Sequence, residues 1–299
     1  MINKKKLNPQ YQLDIERIKL DGEDYIDEEM KPVYKEQKSS LDAVHAMIGL
    51  LFIKYATEGL LKVTPSQKAS ITNQFDTKFK SIGKDLGTSE VAKVTDILKN
   101  IYKETYNKTA YTMDSGLKVA LKFSILKPEF IDAAVNTEFK GEMFSDRILK
   151  NKSGMIDMLK SGLVDAMNGN TSIDTLGRTI QTTFNTQAYQ SQRLVNTEMC
   201  RVQSQAGDDI GHNTNVAKQM YTATLDNKTS PECAALDGTI YDIDDPDKVV
   251  PPENHPNCRC VLQNIVDGWT PSVRKDNITK EIIPYQTYND WKANQGIDE

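Results

Sequence analysis

The stretch Leu41-Asp42-Ala43-Val44-His45-Ala46-Met47-Ile48-Gly49-Leu50-Leu51-Phe52-Ile53-Lys54-Tyr55 decides the fold class. Leu41, Val44, Ile48, Leu51 and Tyr55 recur at the spacing of one helical face. Ala43, Met47 and Leu50 widen that face until the helix is apolar nearly all round, which predicts a central place in a bundle. Its apolar run is too short, and too interrupted by His45 and Gly49, for the ~20 residues a membrane-spanning helix needs. Helical signals continue on both sides. Thr64-Pro65 is a start signal with Thr as N-cap, and Thr88-Ser89-Glu90 signals a further helix carrying Val91, Val94, Leu98 and Ile101. Leu126-Lys127-Pro128 ends one element and begins another. Met155, Met158, Leu159, Leu163 and Met167 form one amphipathic helix stopped by Asn168-Gly169-Asn170, and the methionine stripe reads as a core face. Thr171 is expected to cap the next helix with Asp174, and Ile173, Leu176, Ile180 and Phe184 mark its apolar side.

Near Met220 the period changes. Tyr221 to Leu225 has strand character, Asp226-Asn227-Lys228-Thr229 reads as a turn, and Gly238 to Tyr241 suggests a second short strand. From Asp242 to Asn257 the chain is dense in Asp, Pro and Asn, as a loop is. The expected architecture is mainly α: an elongated helical body followed by a small irregular α+β C-terminal domain that zinc could clamp. The expected divisions are 1–143, an N-terminal helical region; 144–217, a helical core; and 218–299, a small Cys/His-containing domain with a tail.

The 299 residues are 38% hydrophobic, 26% charged and 7% aromatic, a soluble and rather polar composition. A net charge of −5 argues against a dedicated non-specific DNA binder, and Lys4-Lys5-Lys6 reads as a solvated tail. No secretory signal is visible at Met1-Ile2-Asn3, so a cytosolic origin is expected.

Three of the four cysteines lie in the irregular region. Cys233 is followed, after a long loop, by His255-Pro256-Asn257-Cys258-Arg259-Cys260. Cys233, His255, Cys258 and Cys260 supply three thiolates and an imidazole, the donor set of a tetrahedral structural zinc site. Free thiols and a disulfide remain open from spacing, the disulfide being disfavoured in a reducing compartment. Cys200 lies in a helical pattern and reads as a small core residue. Asp242, Asp244, Asp245 and Asp247 read as a solvated loop rather than a calcium site. Nucleotide-binding glycine loops, the HExxH and GxSxG elements and the zinc-deaminase pattern do not occur.

Several pieces resemble, in order, the head-morphogenesis or minor head protein family of tailed bacteriophages, the Mu F-like group. They are Phe144-Ser145-Asp146-Arg147-Ile148, Gly169-Asn170-Thr171-Ser172-Ile173, Arg193-x-x-x-Thr197-Glu198 and Leu225-Asp226-x-x-Thr229. Leu236-Asp237-Gly238, His255 to Cys260, and Tyr285 through Trp291 complete the series. The resemblance spans roughly 144 to 291, about half of the chain. Many members carry Cys-Pro-x-Cys where this chain has Ser230-Pro231-Glu232-Cys233, which leaves four of five potential ligands.

The resemblance implies a non-enzymatic minor capsid protein at the portal vertex, acting in head assembly and DNA delivery. The portal is the expected partner, with scaffolding protein, major capsid protein and packaged DNA as further candidates and no membrane during assembly. It implies a place in the virion head after assembly in the host cytoplasm. Some relatives are fused to ADP-ribosyltransferase domains, but the Arg…Ser-Thr-Ser…Glu-x-Glu series is not recognisable here. The competing classes are a Cys/His-dependent enzyme or toxin and a DNA-binding module. Arg147, Arg193, Glu198 and Asp226 are expected in internal ion pairs or caps, such as Arg193 with Glu198 and Asp226 on the turn before Thr229.

Overall fold

The computed structural model describes residues 10–117, 126–266, 269 and 271–296; the Lys4-Lys5-Lys6 run lies outside them. The helices are α1 (Gln10–Glu29), α2 (Lys31–Tyr55), α3 (Pro65–Leu117), α4 (Pro128–Val135), α5 (Phe144–Met167), α6 (Ile173–Asn213), α7 (Pro231–Leu236) and α8 (Tyr288–Asn294). The strands are β1 (Ala56–Thr57), β2 (Leu60–Leu61), β3 (Lys218–Thr222), β4 (Ile240–Asp242), β5 (Val261–Ile265), β6 (Val273–Lys275) and β7 (Ile282–Pro284). The chain is mainly α with β3 to β7 towards its C-terminal end, as the periodicities predict; the short pair β1 and β2 between α2 and α3 was not expected. No helix among the described residues is long and apolar enough to cross a membrane.

Two compact units form, each from segments distant in sequence: Met1–Ile26, Ile97–Thr137 and Leu194–Glu299 in one, Asp27–Asp96 and Glu138–Arg193 in the other. The second unit packs α2, the first part of α3, α5 and the first part of α6. Its core holds Leu41, Val44, Ile48, Leu51, Phe75, Phe79, Met155, Leu159, Leu163, Leu176 and Ile180. At its centre the Lys152 ammonium meets the Glu90 carboxylate at 2.5 Å, both side chains at most 3% exposed. Gln37 bridges Glu90 and Ser191 at 3.3 and 3.2 Å.

Three local expectations are corrected here. The α2 helix is not buried all round, because Leu50 and Ile53 are 67% and 84% exposed. Only the stripe containing Leu41, Val44, Ile48 and Leu51 is covered. No helix starts at Thr88-Ser89-Glu90, since α3 runs unbroken through it. Those polar side chains serve neighbouring helices instead: Ser89 donates to Glu36 at 2.6 Å, and Glu90 takes Lys152. The cap of α6 is Ser172 rather than Thr171; the Thr175 amide donates to its hydroxyl at 3.3 Å. Thr64 does cap α3, in a reciprocal exchange with Gln67.

In the first unit, β3 lies between β4 and β5 in an antiparallel sheet, with Tyr221 opposite Leu262 and Gln219 opposite Tyr241. Strand β6 pairs with β7. The segment between β4 and β5 has no regular strand, as its Asp, Pro and Asn content predicts. The tail closes through α8, where Thr287 and Asp290 form a capping box, and Trp291 is fully buried against Tyr288 and Leu225.

Candidate metal centre

Helix α7 begins at Ser230, whose hydroxyl accepts from the Cys233 amide at 3.2 Å. The serine at this position is therefore a helix cap, and it fixes Cys233 in the first turn. The loop after β4 brings back His255 and Cys258. The ligand atoms of Cys233, His255 and Cys258 all lie within 4.8 Å of one another. The Cys233 sulfur is 3.0 Å from His255 Nε2 and 3.7 Å from the Cys258 sulfur. Cys260 is buried in the same apolar cluster. It is not one of the three atoms within 4.8 Å.

The surroundings suit an anionic sulfur. Asn254 Nδ2 points at Cys233 Sγ from 2.9 Å and the Tyr221 hydroxyl from 3.1 Å. Hydrogen bonds from Cys258 and Cys260 hold the Cys233 thiol well below its ordinary pKa, against the opposing effect of burial. The interaction with Cys233 pushes Cys260 up to about 12 against an opposing effect of Cys258, and the interactions with Cys200, Cys233 and Cys260 push the Cys258 thiol up. His255 Nδ1 lies 2.8 Å from the Pro256 carbonyl oxygen. An imidazole donating from Nδ1 keeps its lone pair on Nε2, the atom facing Cys233, which is the tautomer a metal ligand requires. The donor set therefore fits a thiophilic divalent ion such as zinc.

One member of this cluster escaped sequence reasoning. Cys200 on α6 is fully buried, as a core residue is, but it belongs to the same cluster as Cys233, Cys258 and Cys260. Burial raises its pKa, while the hydrogen bond with Cys258 and the charge of Lys19 bring it down to about 6. Lys19 on α1 is itself 3% exposed. The acidic loop, by contrast, is solvated and paired with bases: Asp244 with His212 at 2.9 Å, Asp242 with Lys218 at 3.7 Å.

Residues 157–263 match the family described as Phage Mu protein F like protein. The minor head protein GP7 of Bacillus phage SPP1 is 23% identical over 274 residues, 85% of this chain and 88% of that protein. These two matches support the likeness to the Mu F-like minor head protein family. An NAD(+)–arginine ADP-ribosyltransferase, EFV, of Enterococcus faecalis is 25% identical over 203 residues, 62% of this chain; the match spans only 41% of the enterococcal protein. No solved structure matches the chain.

Several of the motif residues brace the segments that carry the thiol cluster. Thr197 accepts from the Asn257 amide at 3.2 Å; Asn257 has a φ of 60°, the left-handed conformation an Asn tolerates. Asp226 accepts from the Lys228 amide at 2.8 Å, the expected turn cap, and also pairs with Arg259 between Cys258 and Cys260. Asp237 accepts from the amides of Ala223 and Tyr288, both at 2.7 Å, and pairs with the buried Arg274. Arg147 donates to the Phe139 and Glu142 carbonyls and lies over the Phe139 ring. Glu198 pairs with Arg201 at 2.7 Å, three residues on, where helical geometry brings side chains together. Arg193 is exposed.

Proposed function

We propose that this chain is a structural component of a phage head, a minor head protein that docks at the portal vertex, and that it is not an enzyme. The observation that carries this reading is the nearly end-to-end alignment with the SPP1 minor head protein. Its place would be the virion, with host cytoplasm as the site of assembly. Scaffolding or major capsid protein and packaged DNA are secondary candidate partners. Cys233, His255, Cys258 and Cys260 would hold one zinc ion, which when bound supplies a covalent-strength clamp across a loop with little apolar content. The chain's own residues prepare that clamp: Ser230 orients Cys233, Pro256 fixes the His255 tautomer, and Asp226 anchors Arg259.

Co-expression with the cognate portal should give a complex that survives size exclusion at low salt; clean separation of the two would overturn direct docking. The similarity to the enterococcal transferase supports a second reading, an arginine-modifying enzyme. Incubation with labelled NAD and an arginine-rich acceptor distinguishes them, because a head component transfers no label.

A further inference from the structure

Between α1, α3 and α6 in the first unit lies a cavity of about 480 Å³, within the size range of small-ligand sites. None of the thiol-cluster residues lines it. Gln203 of α6 does, and it is 4% exposed. Its Nε2 donates to the Ile18 and Lys19 carbonyls of α1 at 3.3 and 3.4 Å, which leaves Oε1 as the free end of the amide. That oxygen is buried and has no hydrogen-bond partner among the described residues. A buried acceptor left unmatched is costly. Gly22 makes room for the amide: a Cβ there would lie 2.6 Å from Gln203 Nε2. Helix α1 thus carries a glycine in its interior, where glycine is unfavourable, and a buried polar side chain sits against the cavity as a result.

The rest of the lining is short of positive charge. Asp21 on α1 and Glu104 on α3 contribute two carboxylates, and Lys108 is the one ammonium among the described residues that line the cavity. Both carboxylates are held loosely. Asp21 lies 3.7 Å from Arg17 and Glu104 3.6 Å from Lys108, with all four side chains at least 44% exposed. Such pairs contribute little, and a ligand cation can displace them. The Asn100 amide is engaged with the Tyr25 hydroxyl at 3.0 Å. Ile18 and Ile101 supply apolar wall.

We infer that this cavity binds an aliphatic ammonium, with the head group donating to Gln203 Oε1, the methylenes against Ile18 and Ile101, and Asp21 and Glu104 as counter-charge. An ammonium carries three donors and no acceptor, the complement of an unmatched carbonyl oxygen in a lining with two carboxylates. A phosphate or carboxylate ligand would meet acceptors. A neutral alcohol would satisfy the oxygen and leave the carboxylates with their weak partners. Two sources carry the ammonium chemistry, a free alkylamine and a lysine side chain of a partner protein. The inference stands apart from the portal and metal readings.

The test follows backbone amide signals of the full-length, isotope-labelled chain by NMR at low ionic strength, where exposed carboxylates are least screened. Butane-1,4-diamine and Nα-acetyl-lysine amide are the two probes, and butane-1,4-diol is the neutral control. Millimolar amine should shift the Gly22 and Asn100 signals saturably, and the diol should not. Gln203→Met should weaken amine binding about 10-fold, as loss of a hydrogen bond to a charged group does. The exposed change Glu104→Gln should weaken it about threefold and leave the melting temperature unchanged. Tighter binding of the diamine identifies a small-molecule ligand; tighter binding of the lysine amide identifies a partner side chain. The inference is overturned if neither amine shifts those signals, or if the diol binds as well as the amines. It is overturned too if Gln203→Met binds as wild type does, for the amide oxygen then serves the adjoining void of about 20 Å³, room for one water. Should Gln203→Met fail to fold, Glu104→Gln decides: affinity equal to wild type overturns the inference.

Discussion

Glu198 is 1% exposed and Arg201 8%, and the arginine does two things at once. It pairs with Glu198 and donates to the carbonyls of Ala134 and Val135, at 2.7 and 3.1 Å, at the end of α4. Arg201→Ala takes the guanidinium from a buried carboxylate and from two buried carbonyls, so a loss of about 3–5 kcal/mol is expected in urea denaturation. Arg193→Ala, on the exposed side of the same helix, should cost about 1 kcal/mol or less. The motif spacing marked Glu198 but not its partner Arg201, which lies outside the motif.

Titration separates two other residues. Burial opposes ionisation of Asp226, yet its bonds with Arg259 hold its pKa below the ordinary value. The stability it contributes is therefore complete above pH ~4 and is lost as pH falls through its lower folded value. His212 behaves oppositely, because hydrogen bonds with Asp244 and Asp208 raise its pKa. Its contribution is complete below pH ~6.5 and disappears as pH rises through the higher folded value. Urea midpoints measured against pH should lose the acid-side slope in Asp226→Asn and the near-neutral slope in His212→Gln. Parallel profiles for wild type and variants would contradict both assignments.

At the scale of elements, the long helix α3 shows what periodicity reveals and what it hides. Its apolar stripe is legible, and so is its capped start at Thr64. Its continuity is not, because Gly87-Thr88-Ser89 carries the residue types of a helix boundary. The glycines answer instead to a close approach of α5. A Cβ on Gly83 would lie 2.7 Å from an Ile156 side-chain carbon, and one on Gly87 2.9 Å from a Leu149 methyl. Gly83→Val should therefore destabilise by about 1–3 kcal/mol through overpacking, despite a gain in chain stiffness. The Lys152–Glu90 pair predicts a second, non-additive result. Glu90→Gln alone should cost about 3–5 kcal/mol, whereas Glu90→Leu with Lys152→Met should recover most of that loss. Additive losses in the double variant would show that the two charges do not depend on each other.

For the whole molecule, the sequence makes clear a helical chain with a Cys/His segment near its end, and it hides the two discontinuous units. His255, Cys258 and Cys260 were legible because they sit within one short stretch, and Cys233 because it lies in the same irregular region. Cys200 was not, since α6 reaches the cluster from outside that stretch and Cys200 belongs to no spaced motif. If zinc clamps this region, adding a chelator to the purified chain should lower its melting temperature, and Cys258→Ser should lower it without any further response to chelator. The central claim, however, is that the protein is built into a phage head through the portal. The most direct measurement is mass spectrometry of heads assembled from the cognate portal, scaffold and capsid genes, with and without the portal gene. The account predicts the chain in portal-bearing heads, at a few copies, and its loss when the portal is omitted. Equal incorporation into both, or absence from both, would contradict it.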